Sequence, residues 1–376
     1  MKTLKNLTIY TEDGIIKNAY IKFEKQILEI GKGDIEGIDM KGKILIPGFI
    51  EQHLHGGYGA DVMDASLEAI ETLVKNLPKE GITSFYPTTT AASYDEIIDV
   101  LTNIKNYKDL NFEIIGADIA GIHLEGPFLN EKFKGAQKVE TFVNPDVKTF
   151  NSYNKASGNL IKHVTLAPEV NGGLDLIKHL VKNKIVASIG HTNATDVEAE
   201  SAIKLGATHF THAFNAMSML HHRNIGAVGT MLLNDDAIAE VISDEIHVSP
   251  KAIKLLYKSK SYKNLILITD SMRAKGLSDG EYELGGQNVI VKDNQARLKD
   301  GTLAGSTLAY DQGVKNFKKI NNCSIEQIIQ LTAINPAKIH HIFDKKGSIK
   351  VGKDADFIIT NENLDIIETY CRGTKF

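Results

Sequence analysis

The pattern of apolar and polar positions divides the chain into two regimes. Over residues 1–47, short stretches alternate apolar and polar: 7–10, then 18–23 and 26–30 after the turn Glu12-Asp13-Gly14, with a loop over 31–37. Period-two alternation bounded by turn residues predicts short β-strands. The same texture returns near the other end, in 347–349, the turn around Gly352, and the segments 356–360 and 366–370. Neither end can bury a core by itself. The two are therefore expected to join as one small β-sandwich domain, residues 1–47 plus 347–376.

Between them, continuous apolar and β-branched runs alternate with helical periodicity. The runs 44–52, 82–89, 114–124, 163–167, 184–189, 207–211, 238–243 and 264–269 read as buried strands. Helices are predicted over 66–80, 94–107, 172–183, 195–205, 249–260, 306–319 and 324–334. Ser66, Thr195 and Ser249 sit where N-caps belong, and Gly81 and Gly206 where helices stop. Eight strands interleaved with helices predict an α/β fold, a (β/α)8 TIM barrel over residues 48–346, in preference to a doubly wound sheet. No Gly-x-Gly-x-x-Gly follows the first strand, which weakens a dinucleotide-binding reading. The interval near 281–301 interrupts the alternation and reads as an inserted β-hairpin, with turns at Gly285-Gly286 and Lys292-Asp293-Asn294.

Composition narrows the function classes only by exclusion. A chain of 376 residues, 42% hydrophobic and 24% charged, has the make-up of an ordinary globular protein. Its net charge of −4 gives no ground for nucleic-acid or anionic-membrane binding, and no apolar run has the length of a membrane span. With Cys323 and Cys371 as its two cysteines, it has neither a disulfide framework nor a thiolate zinc cluster. A cytoplasmic protein is expected.

The chemistry gathers at strand ends. His53 and His55 close the first strand, and a spacing of two puts both imidazoles on one face. Alone, such a pair is as easily polar residues at a strand exit. Further along, Glu125 leaves the third strand, His191 the fifth, His212 the sixth, and Asp270 the eighth, while Asp244 and His247 follow the seventh. In a barrel these ends share one face, where such folds build their sites. Imidazoles and carboxylates without thiolates suit a divalent metal: zinc, iron, manganese or cobalt. Glu125 can bridge two ions, one held by His53 and His55 and one by His191 and His212, with Asp270 as general base. His123 and His209 lie inside their strands and read as barrel wall. His163 and His179 read as structural or exposed, His340 and His341 as solvated, and His221 and His222 as loop residues within reach of substrate.

These residues carry a resemblance. His-x-His, an acid on strand three, two single histidines and an aspartate on strand eight resemble the amidohydrolase superfamily. Within it, GIHLEGPF (121–128), SIGHTN (188–193), THAFNAM (211–217), ITDS (268–271) and GTLAGS (301–306) resemble the N-acetylglucosamine-6-phosphate deacetylase family over nearly the whole chain. The resemblance implies hydrolysis of the N-acetyl group of N-acetyl-D-glucosamine 6-phosphate, giving acetate and glucosamine 6-phosphate, with one or two divalent metals per subunit. It implies metal ligands at Glu125, His191 and His212, with His53 and His55 for a second ion, and catalysis by Asp270, which also faces the metal. It further implies sugar contacts from Ala136, Asn215, Ala216, Leu303, Ala304 and Gly305. His247 and Arg223 would hold the phosphate, Arg223 reaching the neighbouring active site of a homodimer. Gln137 stands where some members carry a histidine that polarises the acetyl carbonyl. Its amide can donate a hydrogen bond but cannot carry a proton's charge. A cyclic amidase is disfavoured, because no lysine stands at the exits of strands three and four to be carboxylated. The galactosamine isomer remains an alternative substrate. A catalytically silent sugar-phosphate sensor would be expected to have lost ligands, and every position is filled.

Overall fold

The computed structural model describes residues 1–110 and 115–376. Its centre is a curled parallel sheet. Six strands lie side by side in chain order: Ile122–Glu125, Ile161–Leu166, Val186–Ile189, His209–Phe210, Ile238–Ile242 and Leu265–Ile268. A second parallel set orders Asp118–Ile119, Ile82–Pro87 and Phe49–Leu54. The two sets meet at both edges through single parallel bridges, Leu54 to Ser271 and Thr88 to His123. Helices between the strands pack their apolar sides on the outside. In Leu67–Asn76, for instance, Ala69, Ile70, Leu73 and Val74 are buried in the large core cluster.

Strands from both ends form the other large sheet. Its order is Thr374–Lys375, Ile366–Cys371, Phe357–Thr360, Ile44–Pro47, Lys2–Thr11, Gly14–Phe23 and Ile27–Lys32, with Ile38–Asp39 against Lys2–Thr11. It has a core of its own, in which Leu4, Leu7, Ile21 and Phe23 from the first strands meet Ile349, Phe357 and Tyr370. Burial of apolar surface from both segments at once is what joins the termini.

Several local expectations hold, and the departures have identifiable causes. Ser66, Thr195 and Ser249 accept backbone N–H bonds as N-caps. Gly81 and Gly206 take left-handed φ of 81° and 104° at helix ends. The apolar run 44–52 is two strands, because Pro47 cannot donate to a ladder and Gly48 lies against Thr83, whose side chain a Cβ would meet at 2.2 Å. The expected third strand, 114–124, begins at a residue outside those described and is split into two short pieces pairing with different neighbours. Two helices escape the periodicity: Val147–Ala156 is mostly polar, and Gly226–Leu233 is apolar all round. Helix 324–334 bends through a π turn at Gln330–Ile334. The insertion has three antiparallel strands, Gly280–Leu284, Gln287–Lys292 and Gln295–Arg297, with its turns where the sequence puts them.

The two terminal segments are also tied by charge. Glu12 accepts from Lys350 at 2.8 Å and from Ser348 at 2.7 Å, and pairs with Lys353 at 3.1 Å. The Lys350 hydrogen bond leads in lowering its carboxyl from the usual 4.5 to about 2. A depressed carboxyl stabilises the fold above its unfolded value and loses that contribution as the pH falls through its folded value. Glu12→Gln should therefore lower stability by about 1 kcal/mol at pH 7, solvent screening holding the figure down. The difference should vanish between pH 4.5 and about 2. Urea melts of both proteins across that range check it.

Candidate active site

The strand exits converge as the sequence predicts. Glu125 lies at the centre. Its Oε1 is 3.5 Å from His53 Nε2, 3.5 Å from His191 Nε2 and 3.2 Å from His212 Nε2. Its Oε2 is 3.3 Å from His55 Nε2. Asp270 Oδ1 stands 3.1 Å from His55 Nε2 and 3.5 Å from His53 Nε2. Two donor groups result, His53 with His55 and Asp270, and Glu125 with His191 and His212. Within each group the atoms lie within 4.8 Å of one another.

The backbone is strained at this point. His191, His212, Phe214, Ala216 and Asp270 all have φ between 31° and 74°, a region that side-chain-bearing residues enter at a cost. At Asp270 the turn is held from both sides: its N–H donates to the His53 carbonyl at 2.9 Å, and its carbonyl accepts from Ser306 N–H at 2.8 Å. Gly305 passes so close beneath that a Cβ would stand 3.0 Å from the Asp270 oxygen. Glu51 clamps Phe49–Leu54 to the end of Leu265–Ile268, accepting from His53 N–H at 3.0 Å and Thr269 N–H at 2.9 Å.

The field favours positive charge. Burial opposes protonation of His53, but Glu125, Asp270 and Glu240 outweigh it and hold the imidazole up at about 9. His55 is likewise held well above its usual range, against burial, by Asp270 and Glu125. Glu125 is pushed well down: burial works the other way, and the surrounding histidines prevail. A site that stabilises protons on imidazoles beside ionised carboxylates also stabilises a cation that displaces those protons. His53 Nε2 and Glu125 Oε1 are buried without a hydrogen-bond partner and point into the cluster, as ligand atoms would. The residues fit a metal ion.

A pocket of about 190 Å³ opens over this cluster. Of the sequence-predicted residues, His55, Glu125, Ala136, Gln137, His191, His212, Asn215, Ala216, His247, Asp270, Leu303 and Gly305 line it. His53 lies fully buried behind it. Ala304 is buried in the core of the inserted sheet. His221, His222 and Arg223 are on an exposed loop, Arg223 Nη1 being 2.6 Å from His222 Nε2, and none of the three lines this pocket. Gln137 donates to Glu125 Oε2 at 2.8 Å and accepts from Ala91 N–H at 2.7 Å, so part of its amide is engaged in orienting the carboxylate.

His123, His163 and His209 are buried wall residues, His123 stacking on His163 at 4.0 Å. His340 is not solvated: it is buried and stacks on Tyr86 at 4.1 Å, because the helix carrying it turns under the central sheet. Sequence reasoning passes over Thr90, Leu284 and Thr302, which line the pocket from loops and the inserted sheet. Asp244, which the sequence places after the seventh strand with His247, holds His247 Nδ1 at 2.6 Å, while the wholly buried Glu240 is passed over. An acid inside the apolar run 238–242 was the available signal.

Comparison with known proteins agrees with this geometry. Residues 44–375 match the amidohydrolase family. The chain is 43% identical to the N-acetylglucosamine-6-phosphate deacetylase of Bacillus subtilis, over 98% of this chain and 96% of that one. It is 38% identical to the deacetylase of the same name from Lysinibacillus sphaericus, over 98% and 93%. The crystal structure of the Thermotoga maritima N-acetylglucosamine-6-phosphate deacetylase superimposes with a TM-score of 0.90 at 33% identity, covering 99% of both chains. The chain belongs to the amidohydrolase family, among the N-acetylglucosamine-6-phosphate deacetylases.

Proposed function

We propose that this enzyme hydrolyses N-acetyl-D-glucosamine 6-phosphate to acetate and D-glucosamine 6-phosphate, as a step of amino-sugar catabolism. The observation that carries the reading is the opening of both donor groups, Asp270 and His247 into one pocket. In this reading the curled sheet is a (β/α)8 barrel over residues 48–346, with 1–47 and 347–376 as a β-sandwich beside it. The parallel order of the strands and the bridges joining the two sets support closure.

Glu125, His191 and His212 would hold one divalent ion, and His53, His55 and Asp270 a second, from among zinc, iron, manganese and cobalt. Such ions supply Lewis acidity that activates water and polarises the acetyl carbonyl. Asp270 takes the proton of the attacking water as its oxygen bonds to the acetyl carbon. When the C–N bond breaks, Asp270 returns that proton to the leaving amine, so the products are acetate and the free amino sugar. Asp270 suits this shuttle because its side chain, 13% exposed, is the one of its donor group that most opens toward the pocket. Gln137 holds Glu125 in place and leaves its remaining amide hydrogen for substrate. Ala136, Asn215, Ala216, Leu303 and Gly305 shape the sugar site, with Ala304 packed into the inserted sheet behind them.

His247, oriented by Asp244, faces the pocket as a phosphate donor. Arg223 serves the pocket of a second subunit in a homodimer. Its exposed position beside Met219 and Leu220, which are 66% and 50% exposed, supports a role outside its own subunit. The small-molecule substrate is met in the cytoplasm, a placement consistent with two free, buried cysteines. Among the described residues no helix is long and apolar enough to cross a membrane.

The test is acetate release after reconstitution with each metal, on the gluco and galacto hexosamine phosphates in parallel. Faster turnover of the gluco compound, dependent on added metal, is the expected result. Preference for the galacto isomer would reassign the substrate, and no acetate from either would end the proposal.

A further inference from the structure

We propose that Glu240 is a positioning residue that fixes His53 in the tautomer able to bind metal and ties that ligand to the strand end bearing His212. This rests on the metal-dependent reading above. Glu240 sits in the middle of Ile238–Ile242, fully buried beneath the pocket, and does not itself line it. Its Oε2 lies 3.0 Å from His53 Nδ1, and the same oxygen accepts the backbone N–H of His212 at 3.2 Å. Its Oε1 accepts from Gln52 Nε2 at 2.7 Å, and Gln52 is the residue before His53.

A carboxylate offers only acceptors, so in the neutral imidazole that a metal requires, His53 keeps its proton on Nδ1 facing Glu240 and its lone pair on Nε2. Nε2 is the atom that points at Glu125 and Asp270, 3.5 Å from each, and has no hydrogen-bond partner. His53 is distinct from its neighbours in this respect. The Nδ1 atoms of His55 and His191 face the carbonyls of Thr88 and Phe133, at 3.2 and 2.9 Å. An anionic partner raises the basicity of the liganding nitrogen more than a carbonyl does. Glu240 also groups with His163 and His209 within 4.8 Å. Both its oxygens already accept N–H bonds, however, which suits an orienting group better than the ligand of a third ion.

Two readouts on the metal-loaded full-length protein test this, neither of which uses the sugar phosphate. Chelator titration with metal analysis follows the two ions separately. In Glu240→Gln the ion of the His53 group should bind 10–100-fold more weakly, while that of the Glu125 group changes by less than about threefold. Histidine ¹⁵N spectra of the wild type should show His53 protonated at Nδ1 and metallated at Nε2. Equal weakening of both ions, or none, would overturn the proposal. A His53 protonated at Nε2 would also overturn it, and that result needs no variant to fold. Should the wild type carry both ions and the expected tautomer yet release no acetate, the functional reading fails while the role of Glu240 stands.

Discussion

Asp270→Asn should lower acetate release by at least about 10²–10⁴-fold, the range for removing a general acid–base. The substitution keeps size and shape, and the turn survives because it is held by backbone bonds to His53 and Ser306. What is lost is the ability to accept a proton from water and return it to the amine. Substrate should still bind, since the phosphate and sugar contacts lie on other loops, and the Glu125 group should keep its ion. Single-turnover kinetics, equilibrium binding of the substrate and metal analysis of the same preparation separate these effects. A variant that turns over within tenfold of wild type would remove Asp270 from the proton shuttle. One that binds no metal at all would make its role that of a ligand.

The site was legible in the sequence to the extent that its residues sit at the ends of clear strands. Glu125, His191, His212 and Asp270 each end an apolar run, and a shared strand end brings them together without knowledge of any loop. The pair His53 and His55 shows the limit of that reasoning. Their spacing puts both rings on one face, but it cannot say that one ring lies fully buried against Glu240 while the other borders the pocket. That depends on an acid nearly 190 positions away. Thr90 and Thr302 were hidden for a related reason, since loops have no period to read, and Leu284 because the hairpin's pattern does not say which cavity its end reaches. Gly226–Leu233 was missed because a helix apolar on every side has no amphipathic stripe. His340 was misjudged because a histidine after a helix gives no sign of which layer the chain turns under.

Strain explains why the strand exits are so exact in their placement yet so unlike ordinary turns. His191, His212 and Asp270 carry left-handed backbone where glycine would be cheaper, and each is a residue whose side chain faces the donor cluster. The surrounding network makes up for this. Glu51 locks Phe49–Leu54 to the end of Leu265–Ile268, Asn215 bonds back to the carbonyls of His212 and Ala213 at 3.2 and 3.1 Å, and Gln137 braces Glu125. The donor atoms are thereby held in place by the protein's own bonds.

Removal of Glu125 should have the other large effect, because it is the carboxylate on which both donor groups converge. Glu125→Gln retains the volume but replaces one acceptor with a donor and removes the negative charge. The amide then faces His53, His191 and His212 on one side or His55 and Gln137 on the other, and either orientation opposes an N–H or a cation. Both ions should be lost on purification and activity should fall to background, measured by metal analysis and acetate release. The double replacement of His53 and His55 provides the contrast: it should cost about one ion per chain and leave residual turnover, because Glu125, His191, His212 and Asp270 remain. If Glu125→Gln kept both ions, the shared carboxylate would not be a bridge. If the double variant kept both, the His53 group would not be a metal site, and the enzyme would work with a single ion. In the metal-free protein the surrounding histidines hold Glu125 ionised, so the neutral amide also removes a pairing that favours the folded state. The variant's thermal midpoint, measured without metal at neutral pH, should fall below that of the metal-free wild type.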